Sequence, residues 1–269
     1  MISIKELRSI SQLSHKDPTE TWYSKNVGRR ISIYITWLLL HTRITANQVS
    51  WVGLLLGIFG GILLGTGVKI IALIGLLCFH LNYIFDTVDG EIARYRKNKT
   101  IHGLFLEHTS AYLTLTALWV GFGAYCYSVN GGNVLWLVAG FVNSISFLKP
   151  VEHAAVQTLF SAIISSSNYK NIKSEDEDIL EEEGEKITEN KIIVTLFRLF
   201  FFNEKILHAI TLSILLDILL KVHVAPLVVL IFYGASALVR IPLALWIITK
   251  DNWTEKMYLK IINKTKGIS

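Results

Sequence analysis

Long apolar runs alternate with short polar and charged segments along this chain, and from Gln48 onward the runs become long. Six of them are close to the length of about 20 residues that a helix needs to cross a hydrocarbon core. They are expected at roughly Gln48 to Gly65, Ile70 to Asp86 continuing to Arg94, Gly103 to Tyr127, Val134 to Ala162, Phe197 to Leu220, and Pro226 to Ile248. Backbone groups in lipid must be satisfied within a helix or a closed barrel, and runs this continuous exclude barrel strands. The expected fold class is all-α integral membrane: six transmembrane helices with an N-terminal interfacial amphipathic helix. That helix is expected over Ile31 to Leu40, where Arg29 and Arg30 lead into a run too short to span and containing Tyr34 and Trp37. Thr45 or Asn47 is expected to cap the first span.

Composition agrees with this pattern: 52% of the 269 residues are hydrophobic and 17% charged, too apolar for an ordinary soluble domain. Lys and Arg concentrate before the first span, in the Arg96–Lys99 turn, between the fourth and fifth spans, and in the tail after Lys250. The opposite loops hold little beyond Lys69 and Lys221, so both termini and the longer loops are expected in the cytoplasm. Residues 1–46 form a cytoplasmic N-terminal region, 47–250 a six-helix transmembrane catalytic domain, and 251–269 a basic cytoplasmic tail suited to anionic headgroups. A solvated acidic loop is expected at about 165–192 within that domain, its acidic run starting at Ser174. Basic patches interleaved with aromatics are absent, which argues against nucleic acid as a partner. Cys78 and Cys126 lack metal-ligand spacing and are read as small buried residues. The polar first 20 residues contain no cleavable signal pattern, so the first span is expected to direct insertion.

Ionisable residues within spans point to function, and they gather at the end of the second span and the start of the third. With Asp86 as zero and about 100° per residue, Asp89 lies near −60°, Gly90 near +40°, Ala93 near −20° and Arg94 near +80°. One helix face thus offers two carboxylates, two minimal side chains and a guanidinium at the edge. Glu91 points away, near about +140°, toward a structural role or the headgroups. On the third span, Gly103, Glu107, Ser110, Ala111 and Thr114 share a face. The short loop between the two spans should set them antiparallel and adjacent, so that Asp86, Asp89 and Glu107 converge on metal. Three hard oxygen donors favour Mg²⁺ or Mn²⁺, and such ions neutralise a diphosphate and polarise an attacking hydroxyl.

The pattern Asp86-x₂-Asp89-Gly90-x₂-Ala93-Arg94-x₈-Gly103-x₃-Glu107 resembles the signature of the CDP-alcohol phosphotransferase family, here in a divergent form. The resemblance implies Asp86, Asp89 and Glu107 as ligands of Mg²⁺ or Mn²⁺, with Gly90, Ala93, Arg94 and Gly103 holding the CDP moiety. It implies transfer of a substituted phosphate group from a CDP-alcohol donor, CDP-diacylglycerol among them, to an acceptor alcohol, with release of CMP. It also implies membrane lipids as surroundings, a homodimer, and a site on the cytoplasmic side. The family's last aspartate, its general base, is Ala111 here, and Ala111 cannot accept a proton. His108 is the nearest substitute in sequence, about 100° away on the helix. His80, Glu152 and His153 reach the site only if packing brings them there.

Lys149 and Arg240 are candidate acceptor contacts, with a Lys149–Glu152 ion pair as the structural alternative. Asp217 and His223 are expected near the opposite interface, and Trp119, Trp136, Trp246 and Trp253 as interface anchors or lipid-facing bulk. Two other functions compete with the enzyme: a catalytically impaired relative that binds CDP-substrates or a partner subunit, and a cation-coupled transporter. The transporter is disfavoured by the lack of an inverted repeat.

Overall fold

The computed structural model describes residues 2–13, 22–98, 100–146 and 203–242. Regular structure among the described residues is helical, with no strand. An N-terminal arm, α1 (Ile4–Arg8), begins where the Ser3 hydroxyl accepts the Glu6 amide and continues into a π-turn, Ser9–Leu13. A second π-turn, Ser24–Gly28, leads into α2 (Arg29–Leu40), the short helix expected at the interface. On α2, Ser32, Ile33 and Thr36 are buried, whereas Ile31, Tyr34 and Leu38 are exposed. This is the two-sided pattern of a helix lying on a surface.

The central layer follows: α3 (Ala46–Gly65), α4 (Lys69–Tyr95) and α5 (Ile101–Val129). Thr45 opens α3 with a capping box, its hydroxyl accepting the Gln48 amide while the Gln48 side chain accepts from Thr45. Thr100 caps α5 by accepting the Gly103 amide at 2.9 Å. The turn from Arg96 to Asn98 reverses the chain, and α3 packs along both α4 and α5. Glycines let these helices approach closely along their backbones. Gly61 illustrates this: a Cβ there would lie 2.6 Å from the Ala117 carbonyl oxygen on α5. On its other side α3 presents Gly60, where a Cβ would lie 2.8 Å from the Gly75 oxygen on α4.

Beyond α5 come α6 (Leu135–Ile145), then α7 (Asn203–Leu219) and α8 (Ala225–Ala235), which ends in a π-turn, Ser236–Arg240. The larger core cluster joins α5 to these helices through Trp119, Phe122 and Tyr125 against Ile210, Ile214 and Phe232. By length and composition two described helices, Ala46–Gly65 and Lys69–Tyr95, are able to cross a membrane. These match the first two expected spans. Helix α5 has the length, at 29 residues, but its Thr, Tyr and Ser positions make it less apolar. The second half of the fourth expected span and the outer ends of the fifth and sixth lie outside the described residues, as do the acidic loop and the basic tail.

Two expectations need correction. Trp119 is wholly buried in the core rather than anchored at an interface, and Trp136 packs against the same cluster. Helices α4 and α5 touch only sparsely, because α3 packs against both. Asp217, at the turn between α7 and α8, is 1% exposed: its carboxylate accepts the Val224 and Ala225 amides and so holds the start of α8. Trp246 and Trp253 fall outside the described residues.

Candidate functional site

The face of α4 that carries Asp86 is open. Asp86 is exposed, while Asp89, one turn on, is buried at 8% exposure and accepts a hydrogen bond from the Ser50 hydroxyl on α3. Gly90 and Ala93 continue the face, both half-buried. The Arg94 guanidinium folds back over Gly90, so that a Cβ at Gly90 would lie 3.0 Å from Nη1 and 3.3 Å from Nη2. Nε of Arg94 donates to the Ser11 carbonyl in the N-terminal arm at 2.6 Å.

Glu107 is exposed on α5. Asp86, Asp89 and Arg94 thus lie at the end of α4, and Glu107 near the start of α5. Gly103 lies close to the start of α3. A Cβ there would lie 3.1 Å from the Asn47 side-chain oxygen, so Gly103 lets the starts of α3 and α5 approach. Ala111 is exposed and brings only a methyl group. Ser110 and Thr114 are buried; the Ser110 hydroxyl donates to the Glu107 carbonyl, and Thr114 packs against Gly57. His108 is half-buried. Among the described residues, no three His, Cys, Asp or Glu side chains gather closely enough to hold an ion by themselves.

His80 belongs to another cluster. Its ring nitrogens face the Tyr23 hydroxyl and the Thr211 hydroxyl, each at 3.2 Å, and its ring stacks on His208. That cluster ties the N-terminal region, α4 and α7 together. Lys149, Glu152 and His153 lie outside the described residues, as does the side chain of Arg240, which closes the π-turn after α8.

Glu91 takes the structural one of its two expected roles. It does not face headgroups: it is wholly buried. Its Oε1 accepts Gln12 Nε2 at 2.7 Å and the Ser32 hydroxyl at 2.6 Å, and its Oε2 accepts the Thr36 hydroxyl at 2.5 Å. Ser32 and Thr36 are spaced i, i+4 in an otherwise apolar helix, a polar stripe that was readable as a signal for a buried partner. Ser50, the last hydroxyl of α3 before its long apolar run, is a fainter signal of the same kind. Gln12 and the Ser11 carbonyl leave no such trace, because only tertiary packing brings them to α4.

No model of a known protein family matches this chain, and no curated protein matches it either.

Proposed function

We propose that the chain is a membrane-embedded transferase that moves a substituted phosphate group from a CDP-alcohol to an acceptor alcohol. The observation that carries this reading is the α4 face on which Asp86 and Asp89 are followed by Gly90, Ala93 and the Arg94 guanidinium, with Glu107 exposed near the start of α5. It supports the resemblance to the CDP-alcohol phosphotransferase family drawn from the same residues.

The donor set suits a hard divalent ion. Mg²⁺ characteristically takes one or two protein carboxylates and fills its remaining positions with substrate phosphates and water. A carboxylate set that is near but not gathered is compatible with that habit. When bound, Mg²⁺ or Mn²⁺ would neutralise the diphosphate and polarise the acceptor hydroxyl. Asp86, Asp89 and Glu107 would hold it. Arg94 would meet a phosphate with its terminal nitrogens, and the low relief at Gly90 would let the nucleotide lie against the helix. In the reaction the acceptor oxygen forms a bond to the phosphorus bearing the alcohol, the bond to the bridging oxygen breaks, and CMP leaves with that electron pair. The hydroxyl proton passes to solvent or to a base supplied from outside Ala111. On this reading the site opens toward the cytoplasm, both termini lie on that side, the surroundings are membrane lipids, and the assembly is a homodimer.

The test is CMP release by the purified protein across a panel of CDP-alcohol donors, with Mg²⁺, Mn²⁺ or chelator. Turnover that requires the ion supports the reading; no turnover with any donor or ion overturns the activity. Exposed Ala111, where a base is expected, favours one second reading: a relative that binds CDP-substrates without turning them over. It predicts thermal stabilisation by CDP without CMP release.

A further inference from the structure

A polar seam runs between the N-terminal arm and the side of α4 turned away from the open face. Gln12 is 4% exposed, and its side-chain nitrogen donates both to Glu91 Oε1 at 2.7 Å and to the Arg29 carbonyl at 2.8 Å. Arg29 returns a hydrogen bond from Nη1 to the Gln12 carbonyl at 2.8 Å. Ser32 and Thr36 of α2 complete the shell around Glu91. Burying a carboxylate is costly unless its oxygens are satisfied, and here three side-chain donors satisfy them.

A seam built only to attach the arm needs no buried carboxylate, since apolar contacts would serve. This one has a directional result. It fixes Gln12, and the preceding residue, wholly buried Ser11, turns its carbonyl onto Arg94 Nε. An arginine side chain has several rotatable bonds, and rotamer entropy opposes holding it in one pose. Anchored at Nε, the guanidinium is held with both terminal nitrogens over Gly90. That is the edge a guanidinium uses for two parallel hydrogen bonds to a phosphate.

We infer that Gln12, Glu91 and the Ser11 carbonyl position Arg94 for the donor's diphosphate, which makes the N-terminal arm part of the donor site. The inference rests on the donor reading above and extends it to residues outside the helix α4 face. Gln12 and Glu91 act through Arg94 and touch no substrate.

The experiment is a double-mutant cycle on the full chain in detergent or nanodiscs, reading the Kd for CDP in Mg²⁺ together with the melting temperature. Gln12→Leu and Arg94→Ala are each expected to weaken CDP about tenfold, and the double variant no more than Arg94→Ala alone. A purely structural Gln12 would lower the melting temperature and leave the CDP affinity unchanged, or its effect would multiply with that of Arg94→Ala. Either result overturns the positioning role and leaves the donor reading intact. Unchanged affinity in Arg94→Ala also overturns it. A wild-type protein that binds no CDP overturns the donor reading, and this inference with it. Should Gln12→Leu not fold, Gln12→Asn, which keeps the amide but withdraws it from Glu91, enters the same cycle with the same criteria.

Discussion

Asp89 and Glu91 stand two positions apart on α4 and carry the same functional group, yet their surroundings are opposite. Glu91 is wholly buried and has three side-chain donors on its two oxygens. Asp89 has one side-chain donor, from Ser50, and shares its face with exposed Asp86 and, across on α5, exposed Glu107. A buried carboxylate that already accepts three donors from its own protein keeps little acceptor capacity for a ligand. A carboxylate beside open space keeps lone pairs that a cation could take. The two sides of α4 thus differ in how far the protein itself occupies their carboxylates.

The sharpest way to break that comparison is to remove charge from the open side. Asp86→Asn and Asp89→Asn should each lower ion-dependent CMP release by about a hundredfold or more, given the several kcal/mol that metal and phosphate stabilisation supply. Their melting temperatures should stay close to wild type, and chelator should reproduce the loss. If either variant keeps its turnover, the open face is not where the ion works.

Glu91→Ala is the counterpart on the sealed side. It strands the Gln12, Ser32 and Thr36 donors in a buried space, at a cost of about 3 kcal/mol. A thermal shift assay should show a fall of several degrees, with Glu91→Gln falling less because an amide still accepts at one oxygen. Glu91→Ala melting like wild type would mean that the seam contributes nothing to attachment.

The difference between the two sides also explains how far the sequence could be read. The 3.6-residue period puts Asp86, Asp89, Gly90 and Ala93 on one face, and their placement follows from local helix geometry alone. The cap at Thr45, the short helix at Arg29–Leu40 and the first two long apolar helices are local in the same sense. Glu91 was placed correctly off that face, but what it meets is set by chain segments 55 to 79 positions away. Trp119 misled for a related reason. Tryptophan favours membrane interfaces on average, whereas here the packing of α7 and α8 against α5 encloses it. Asp217 is likewise buried by the turn it caps, a contact across seven and eight positions.

Gly90→Ala sharpens the comparison within the open side. Alanine raises helix propensity by up to about 1 kcal/mol, so stability should hold or rise. The added Cβ would lie 3.0 Å from Arg94 Nη1 and must displace the guanidinium. CDP affinity should then fall about fivefold, a change of about 1 kcal/mol. Affinity and stability moving together would mean that Gly90 serves packing rather than the ligand.

The smallest effect is expected at His108. It follows Glu107 in sequence but projects about 100° around α5, and it is half-buried rather than open like Glu107 and Ala111. A positioned general base contributes about a hundredfold or more, so a histidine turned off the face should contribute far less. His108→Gln is expected to change CMP release by less than about threefold, below about 0.7 kcal/mol. Ala111→Asp should raise release by a similarly small factor, since a carboxylate there arrives without partners to set its angle or its proton affinity. A hundredfold loss in His108→Gln would reverse the assignment. Proton transfer would then run from the half-buried side of α5 rather than from the face that carries Glu107 and Ala111.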